Sequence, residues 1–160
     1  MAFVFDDQAV IDRYERWQAA GIAVNPVSSL RYWWRGARAA TLMSNLITLR
    51  LAGLTPWVWH VQNALFHALN AALVFYLFGF WPAALFFAHP ITGGLSVYVS
   101  IRADLLMTRY ALLSAVFLCW GGSWLLCSVL ALWMARSAKA CGVIAALGLW
   151  LTAWCFSGRM

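Results

Sequence analysis

Residues 60–75 read HVQNALFHALNAALVF, and polar side chains recur through this apolar run at intervals of three or four positions. The recurring residues are His60, Asn63, His67 and Asn70. At helical pitch these positions share one face, so the pattern predicts a helix with a polar stripe along an apolar body. A polar side chain that faces hydrocarbon is costly, so the stripe must face protein or enclosed water. The helix therefore borders either a binding site or a contact between helices.

The composition of the chain is that of an integral membrane protein. Of its 160 residues, 64% are hydrophobic and 10% are charged, and the mean hydropathy is +0.77. Soluble domains carry about 25% charged residues. The length accommodates about four spans of roughly 20 residues each and one extramembrane segment. We therefore predict an all-α fold, a polytopic helical membrane bundle of about four spans.

The cysteines and acidic residues indicate no metal site. Cys119, Cys127, Cys141 and Cys155 lie in apolar segments without a C-x-x-C pair, and we interpret them as small buried hydrophobic side chains. The five acidic residues are not spaced as a ligand set. We therefore expect no metal and no cofactor.

Residues 1–56 are predicted to form an interfacial segment outside the membrane core. Residues 6–20 predict an amphipathic helix with Asp6 or Asp7 as its N-cap and Tyr14 on its apolar side. Such a helix lies at a membrane surface.

The rest of this segment continues at the interface. The stretch up to Arg38 is rich in Arg and Trp, and it is interpreted either as a solvated loop or as a phosphate-binding segment. Residues 41–54 predict a surface or half-buried helix, because this apolar run is short and contains Arg50.

Residues 57–160 are predicted to form the transmembrane region. The first span covers residues 57–78, and an apolar run interrupted at Pro90 indicates a broken helix that lines a cavity. Residues 110–135 predict one long, tilted span, and residues 140–156 predict a shorter one.

Charge gives two answers on orientation. Arg136 and Lys139 place the last loop in the cytoplasm, and counting spans backwards then puts residues 1–56 on the outer side. The six arginines of that segment favour the opposite orientation. We expect a bacterial inner membrane with residues 1–56 outside.

Several runs of residues occur in an order that resembles a known family. They are FVFDD at 3–7, RAATLMSNL at 38–46, GLTP at 53–56, HVQNALFHALNAALVF at 60–75, FFAHPI at 86–91 and VSIRADLL at 99–106. In this order and at these intervals they resemble the N-terminal portion of the transmembrane, tetratricopeptide-repeat-associated O-mannosyltransferases, which belong to the C-type superfamily of membrane glycosyltransferases.

The resemblance implies inverting transfer of a sugar from a polyprenyl-phosphate carrier to an acceptor hydroxyl at the outer face of the membrane. An acidic pair carries the catalytic base in that family, and Asp6 or Asp7 would occupy its place here. Arg38 and Arg102 would offset the charge on the lipid phosphate, with Asp104 holding Arg102 in place.

The same resemblance assigns roles to the remaining polar side chains. His60, His67 and His89 would hydrogen-bond the sugar or the phosphate, and Asn63 belongs to the same substrate-binding stripe. The expected partners are membrane lipid, the polyprenyl-phosphate sugar and a partner chain or second copy that completes the fold; no nucleic acid is expected.

Each assignment has a structural alternative. Asp6 and Asp7 precede a predicted helix and would cap it. Arg102 and Asp104 would form a solvated ion pair beside the end of a span. The stripe would hold helices together, and His89 would cap the broken helix. These alternatives correspond to a non-catalytic membrane subunit or lipid-binding module.

Overall fold

The structure, a computed structural model, describes residues 8–20, 39–89 and 101–139 together with residues 144, 147, 148 and 151. This part of the chain contains six helices and no strand, which confirms the predicted all-α class for it. The helices are α1 (Gln8–Ala19), α2 (Ala39–Ala52), α3 (Pro56–Phe78), α4 (Phe80–Ala88), α5 (Arg102–Trp120) and α6 (Trp124–Ala138).

The helix α3 is the span predicted over residues 57–78, and its bounds agree to within one residue. It begins at Pro56, whose missing amide donor is harmless at the first helical position, and it ends before Gly79, whose φ is +85°. Its 23 residues extend over about 35 Å at helical rise. Helices α3 and α5 are each long and apolar enough to cross a membrane.

The single long span predicted over residues 110–135 is wrong. Gly121 and Gly122 take positive φ values of +65° and +55°, a backbone region that favours glycine, and the chain turns there. As a result α5 starts earlier, at Arg102, and α6 starts at Trp124. The apolar residues on both sides of the turn hide it from a hydropathy pattern.

The hairpin of α5 and α6 is closed by small residues. The Ser114 hydroxyl donates to the Ser128 carbonyl at 3.0 Å, and the Ser128 hydroxyl donates to the Ser114 carbonyl at 2.7 Å. Both serines are fully buried, as are Ala111 and Ala135 on the same seam. Small side chains let two helix backbones approach closely, which compensates for the absence of a hydrophobic drive between helices in lipid.

The helix α4 is short and packs back against α3. It has nine residues, and its Ala83 forms a buried cluster with Val74 of α3 and Leu112 of α5. It ends at Ala88, two residues before Pro90. The continuation predicted beyond Pro90 lies outside the described residues, so the broken helix and its cavity stay predictions.

Helix α2, which belongs to the segment predicted to be interfacial, contacts α6. The Thr41 hydroxyl donates to the Ala138 carbonyl at the end of α6 at 3.0 Å. Arg50 is exposed whereas Asn45 and Thr48 are buried, in agreement with a half-buried helix.

In the second half of the chain, one prediction about the cysteines is wrong, and the predicted last span falls largely outside the described residues. Cys119 is exposed and Cys127 is intermediate, so the interpretation of the cysteines as buried side chains is wrong for Cys119. Most of residues 140–156 lie outside the described residues, including Cys141 and Cys155.

Replacing Ser114 by Leu should destabilise the hairpin of α5 and α6. The larger side chain cannot fit between the two backbones, and overpacking of this kind costs about 1–3 kcal/mol. The free energy of unfolding in detergent, followed by tryptophan fluorescence, measures the effect. Ser123→Leu, the same substitution at an exposed position in the turn, is the matched control. Equal stability of the two variants would contradict the close packing of this seam.

Candidate anion-binding site

Arg102 is the first residue of α5, and its side chain is 0% exposed. Its guanidinium donates three hydrogen bonds: from Nε to Asn63 Oδ1 at 3.0 Å, from Nη1 to Thr48 Oγ1 at 2.9 Å, and from Nη2 to the Trp59 carbonyl at 3.4 Å. Because these acceptors belong to α2 and α3, one guanidinium connects three helices. Its planar array of donors also fixes the direction from which each acceptor approaches.

Aromatic rings enclose the same guanidinium. Its carbon lies 4.7 Å from the centroid of the Trp59 ring, within the range of a cation–π interaction. Tyr14 of α1 packs beside Trp59 with ring centroids 5.4 Å apart, and both side chains are buried. The Trp59 indole N–H donates to the Gly53 carbonyl at 2.9 Å, which fixes the orientation of the ring. Tyr14, on the predicted apolar side of α1, thus packs against the ring that contacts the arginine.

Arg102 has no acidic partner in the described part of the chain. Its acceptors are an amide, a hydroxyl and a carbonyl, and no described carboxylate lies within 4.0 Å of it. Asp104, which we expected to hold it in place, forms an ion pair with Lys139 instead. Residues two apart in a helix point to different faces, so the sequence neighbours cannot pair. The expected Arg102–Asp104 ion pair is therefore wrong, and the described residues that accept hydrogen bonds from this buried cation are all neutral.

A second arginine of α5 has a similar environment. Arg109 lies with its guanidinium carbon 4.4 Å from the centroid of the Phe66 ring, and its Nη2 donates to the Phe66 carbonyl at 3.3 Å. Arg102 approaches the same ring at 5.9 Å. As with Arg102, no described carboxylate lies within 4.0 Å of Arg109. Two positive charges of α5 therefore lie beside one aromatic ring of α3. Both helices are apolar enough to span a membrane.

The polar stripe of α3 faces protein, as its spacing predicts, since all four side chains are buried. Asn63 accepts from Arg102, His67 Nε2 lies 3.3 Å from the Phe87 carbonyl of α4, and Asn70 donates to the Leu105 carbonyl of α5 at 2.9 Å. These bonds cross to neighbouring helices. The structural alternative for the stripe, a contact between helices, is therefore present for these three residues.

The remaining predicted site residues are not brought into this cluster by the described structure. Asp6, Asp7 and Arg38 lie outside the described residues. His89 is the exposed C-cap residue of α4, where its backbone amide donates to the Leu85 carbonyl at 2.9 Å. Its predicted contact with a substrate stays a prediction.

The sequence-based predictions did not include two residues that accept hydrogen bonds from Arg102, Thr48 and Trp59. Thr48 belongs to a second polar stripe, since Thr41, Asn45 and Thr48 are spaced by four and three residues and are all buried. That spacing is the same signal as on α3 and was available in the sequence. Trp59 gave no such signal, because it is one of 11 tryptophans and contributes its carbonyl and its ring face.

No protein-family model, curated protein or solved structure matches this chain. The function of the chain must therefore be inferred from the chemistry of this site and from the sequence.

The bond between Asn63 and Arg102 should show strong coupling in a double-mutant cycle. Asn63→Leu leaves the buried guanidinium without an acceptor, and losing a hydrogen bond to a charged group costs about 1.5–3 kcal/mol. In an Arg102→Met background the same Asn63→Leu change should have little effect, because no buried charge remains to be satisfied. Unfolding free energies of the four proteins in detergent give the coupling energy. Additive effects would contradict a direct bond between the two side chains.

Proposed function

We propose that this chain is a membrane glycosyltransferase-like protein that binds the phosphate of a polyprenyl-phosphate sugar. The main support is the pair of arginines on α5, which have no carboxylate within 4.0 Å among the described residues. Arg102 is the first residue of α5 and Arg109 lies in its interior. Charged side chains in membrane segments are costly and are usually paired, so these two favour a site where an anion neutralises them. Guanidinium groups bind phosphate through short, charge-assisted hydrogen bonds.

In the proposed reaction an acceptor hydroxyl attacks the anomeric carbon of the sugar. The bond between that carbon and the phosphate oxygen breaks, the phosphate leaves with the electron pair, and a carboxylate takes the hydroxyl proton. Asp6 or Asp7 is the proposed base, as the resemblance to the C-type family implies. Because the leaving phosphate gains a negative charge, Arg102 and Arg109 would stabilise it more strongly than the bound donor. Arg38, His60 and His89 remain proposed donor contacts.

The proposal includes a place in the cell. The chain would cross a bacterial inner membrane about four times, with residues 1–56 at the outer face and membrane lipid around its apolar helices. A partner chain or a second copy is also a proposed partner.

Arg102→Gln should lower the affinity for a polyprenyl monophosphate by at least tenfold, because it removes charge-assisted hydrogen bonds. Binding would be measured with a fluorescent polyprenyl monophosphate and the purified chain in phosphatidylcholine nanodiscs. Arg109→Gln, which removes the less enclosed charge, should lower the affinity in the same direction.

Arg136→Gln is the matched control, since Arg136 is an exposed arginine of α6. It should retain the affinity of the unaltered chain. Circular dichroism and gel filtration show whether each variant is folded. Equal affinities for all four proteins, or no binding by the unaltered chain, would overturn the proposed function.

Asp7→Asn and Asp6→Asn should separate binding from transfer. Loss of the base removes proton abstraction without removing the phosphate ligands, so one variant should lose transfer by a factor of about 100 or more and keep its affinity for the donor. Transfer from a radiolabelled polyprenyl-phosphate mannose would be measured in membranes that contain the chain and its native partners. Full transfer by the double variant would exclude this pair as the base.

A non-catalytic membrane module is the second candidate. Two observations favour it: Arg102 is 0% exposed, and three stripe residues already bind neighbouring helices. Such a module would hold its fold without phosphate, and Asp6→Asn and Asp7→Asn would then be silent in any assay of its assembly.

A further inference from the structure

Two side chains of the polar stripe each have one hydrogen-bonding atom that is buried without a partner. These atoms are His67 Nδ1 and Asn70 Oδ1, and neither has a hydrogen bond within the described part of the chain. His67 is 5% exposed and Asn70 is 0% exposed. Burying such an atom unsatisfied is unfavourable, so a hydrogen-bonding group that is not part of the described residues is expected beside each.

The contacts of His67 determine what this group must be. Its Nε2 faces the Phe87 carbonyl at 3.3 Å, and a carbonyl can only accept, so Nε2 carries the proton. In the neutral imidazole Nδ1 is then an acceptor. A neutral His67 therefore requires a donor at Nδ1.

The same reasoning applies to Asn70. Its Nδ2 donates to the Leu105 carbonyl at 2.9 Å, which determines the orientation of the amide and leaves Oδ1 as the free end. An amide oxygen only accepts. The two residues thus present two acceptors, three positions apart on one face of α3, at the junction with α4 and α5.

These acceptors continue a stripe that begins at the arginine. Asn63, which binds Arg102, lies four residues before His67, or about 6 Å along the helix axis. Along α3, the end of the stripe at Asn63 lies beside the Arg102 cation. One to two turns further on, the stripe presents the two acceptors. A ligand complementary to it has an anionic group at one end and hydroxyl donors next to that group.

An aromatic wall lies beside the acceptors. His67 stacks on Phe86 and Phe87 of α4, with ring centroids 5.3 Å and 5.4 Å apart. Phe87 is 56% exposed, so its ring lies between His67 and the surface on that side. Aromatic rings also provide an apolar surface for the C–H face of a sugar.

We propose that His67 and Asn70 form the subsite for the sugar of the lipid-linked donor, accepting hydrogen bonds from two of its hydroxyls while the phosphate lies at Arg102 and Arg109. This inference rests on the proposed function, which it extends by assigning the headgroup side of the donor. A lone water molecule would satisfy the same two atoms, so the test must separate sugar from water.

The test compares two probes of equal charge, a methyl polyprenyl phosphate diester and a polyprenyl-phosphate mannose, with the full chain in phosphatidylcholine nanodiscs. The unaltered chain should bind the mannosyl form more tightly by about threefold to tenfold for each hydroxyl bond. His67→Phe keeps a ring between Phe86 and Phe87, and Asn70→Leu keeps the volume. Each should reduce the preference for the mannosyl form and leave the affinity for the methyl diester unchanged.

Asn45→Leu is the matched control. Asn45 of α2 also has a buried side-chain oxygen without a partner in the described structure, but it lies outside the α3 stripe. It should keep the preference of the unaltered chain, and if Asn70→Leu fails to fold, His67→Phe alone decides.

The outcomes separate the two proposals. Equal binding of both probes by the unaltered chain, or a preference that both stripe variants retain, would overturn the sugar subsite while the phosphate site stands. Binding of neither probe would overturn the proposed function and the subsite together. A preference that only the stripe variants lose would support both.

Discussion

The buried guanidinium of Arg102 is the interaction on which the described structure depends. It belongs to α5 and donates hydrogen bonds to residues of α2 and α3. Helix α1 contacts this cluster because Tyr14 packs against Trp59. Because the donors of a guanidinium are fixed in one plane, they determine where each helix lies relative to the others. A cation enclosed by neutral groups is expensive to bury, and an apolar side chain would often stabilise a core better. This cost is the basis of our proposal that an anion binds here.

The two interpretations of the polar stripe are compatible at the level of single atoms. His67 and Asn70 each use one polar atom to bind a neighbouring helix, and that bond orients the other atom. Helix contacts of this kind are individually weak in membranes, about 0.6 kcal/mol on average. What they provide here is a fixed tautomer and a fixed amide orientation, which a binding site requires. The contacts between helices thus prepare the acceptors.

The turn at Gly121 and the ion pair of Asp104 show where local sequence patterns lead to a wrong prediction. An apolar run of 26 residues looks like one span, yet two glycines with positive φ divide it. Arg102 and Asp104 look like a pair in the sequence, yet helical pitch separates them, and Asp104 finds Lys139, 35 residues away. In both cases the relevant residues are visible in the sequence. A hydropathy average does not detect two glycines at a turn, and proximity in the chain does not show which charged side chains are close in space.

The sequence by itself determined the helical class, the bounds of α3 and the burial of His60, Asn63, His67 and Asn70, because side-chain periodicity and hydropathy are properties of a single segment. Only the tertiary structure decided which atoms these side chains meet. The acceptors of Arg102 lie 39 to 54 residues away from it, on helices whose packing no local pattern specifies. For the same reason the sequence predicted a binding site or a helix contact along α3, but not that Thr48 and Trp59 accept hydrogen bonds from Arg102. The periodicity of polar residues indicates which face of a helix is buried, and the packing of the neighbouring helices determines which atoms that face contacts.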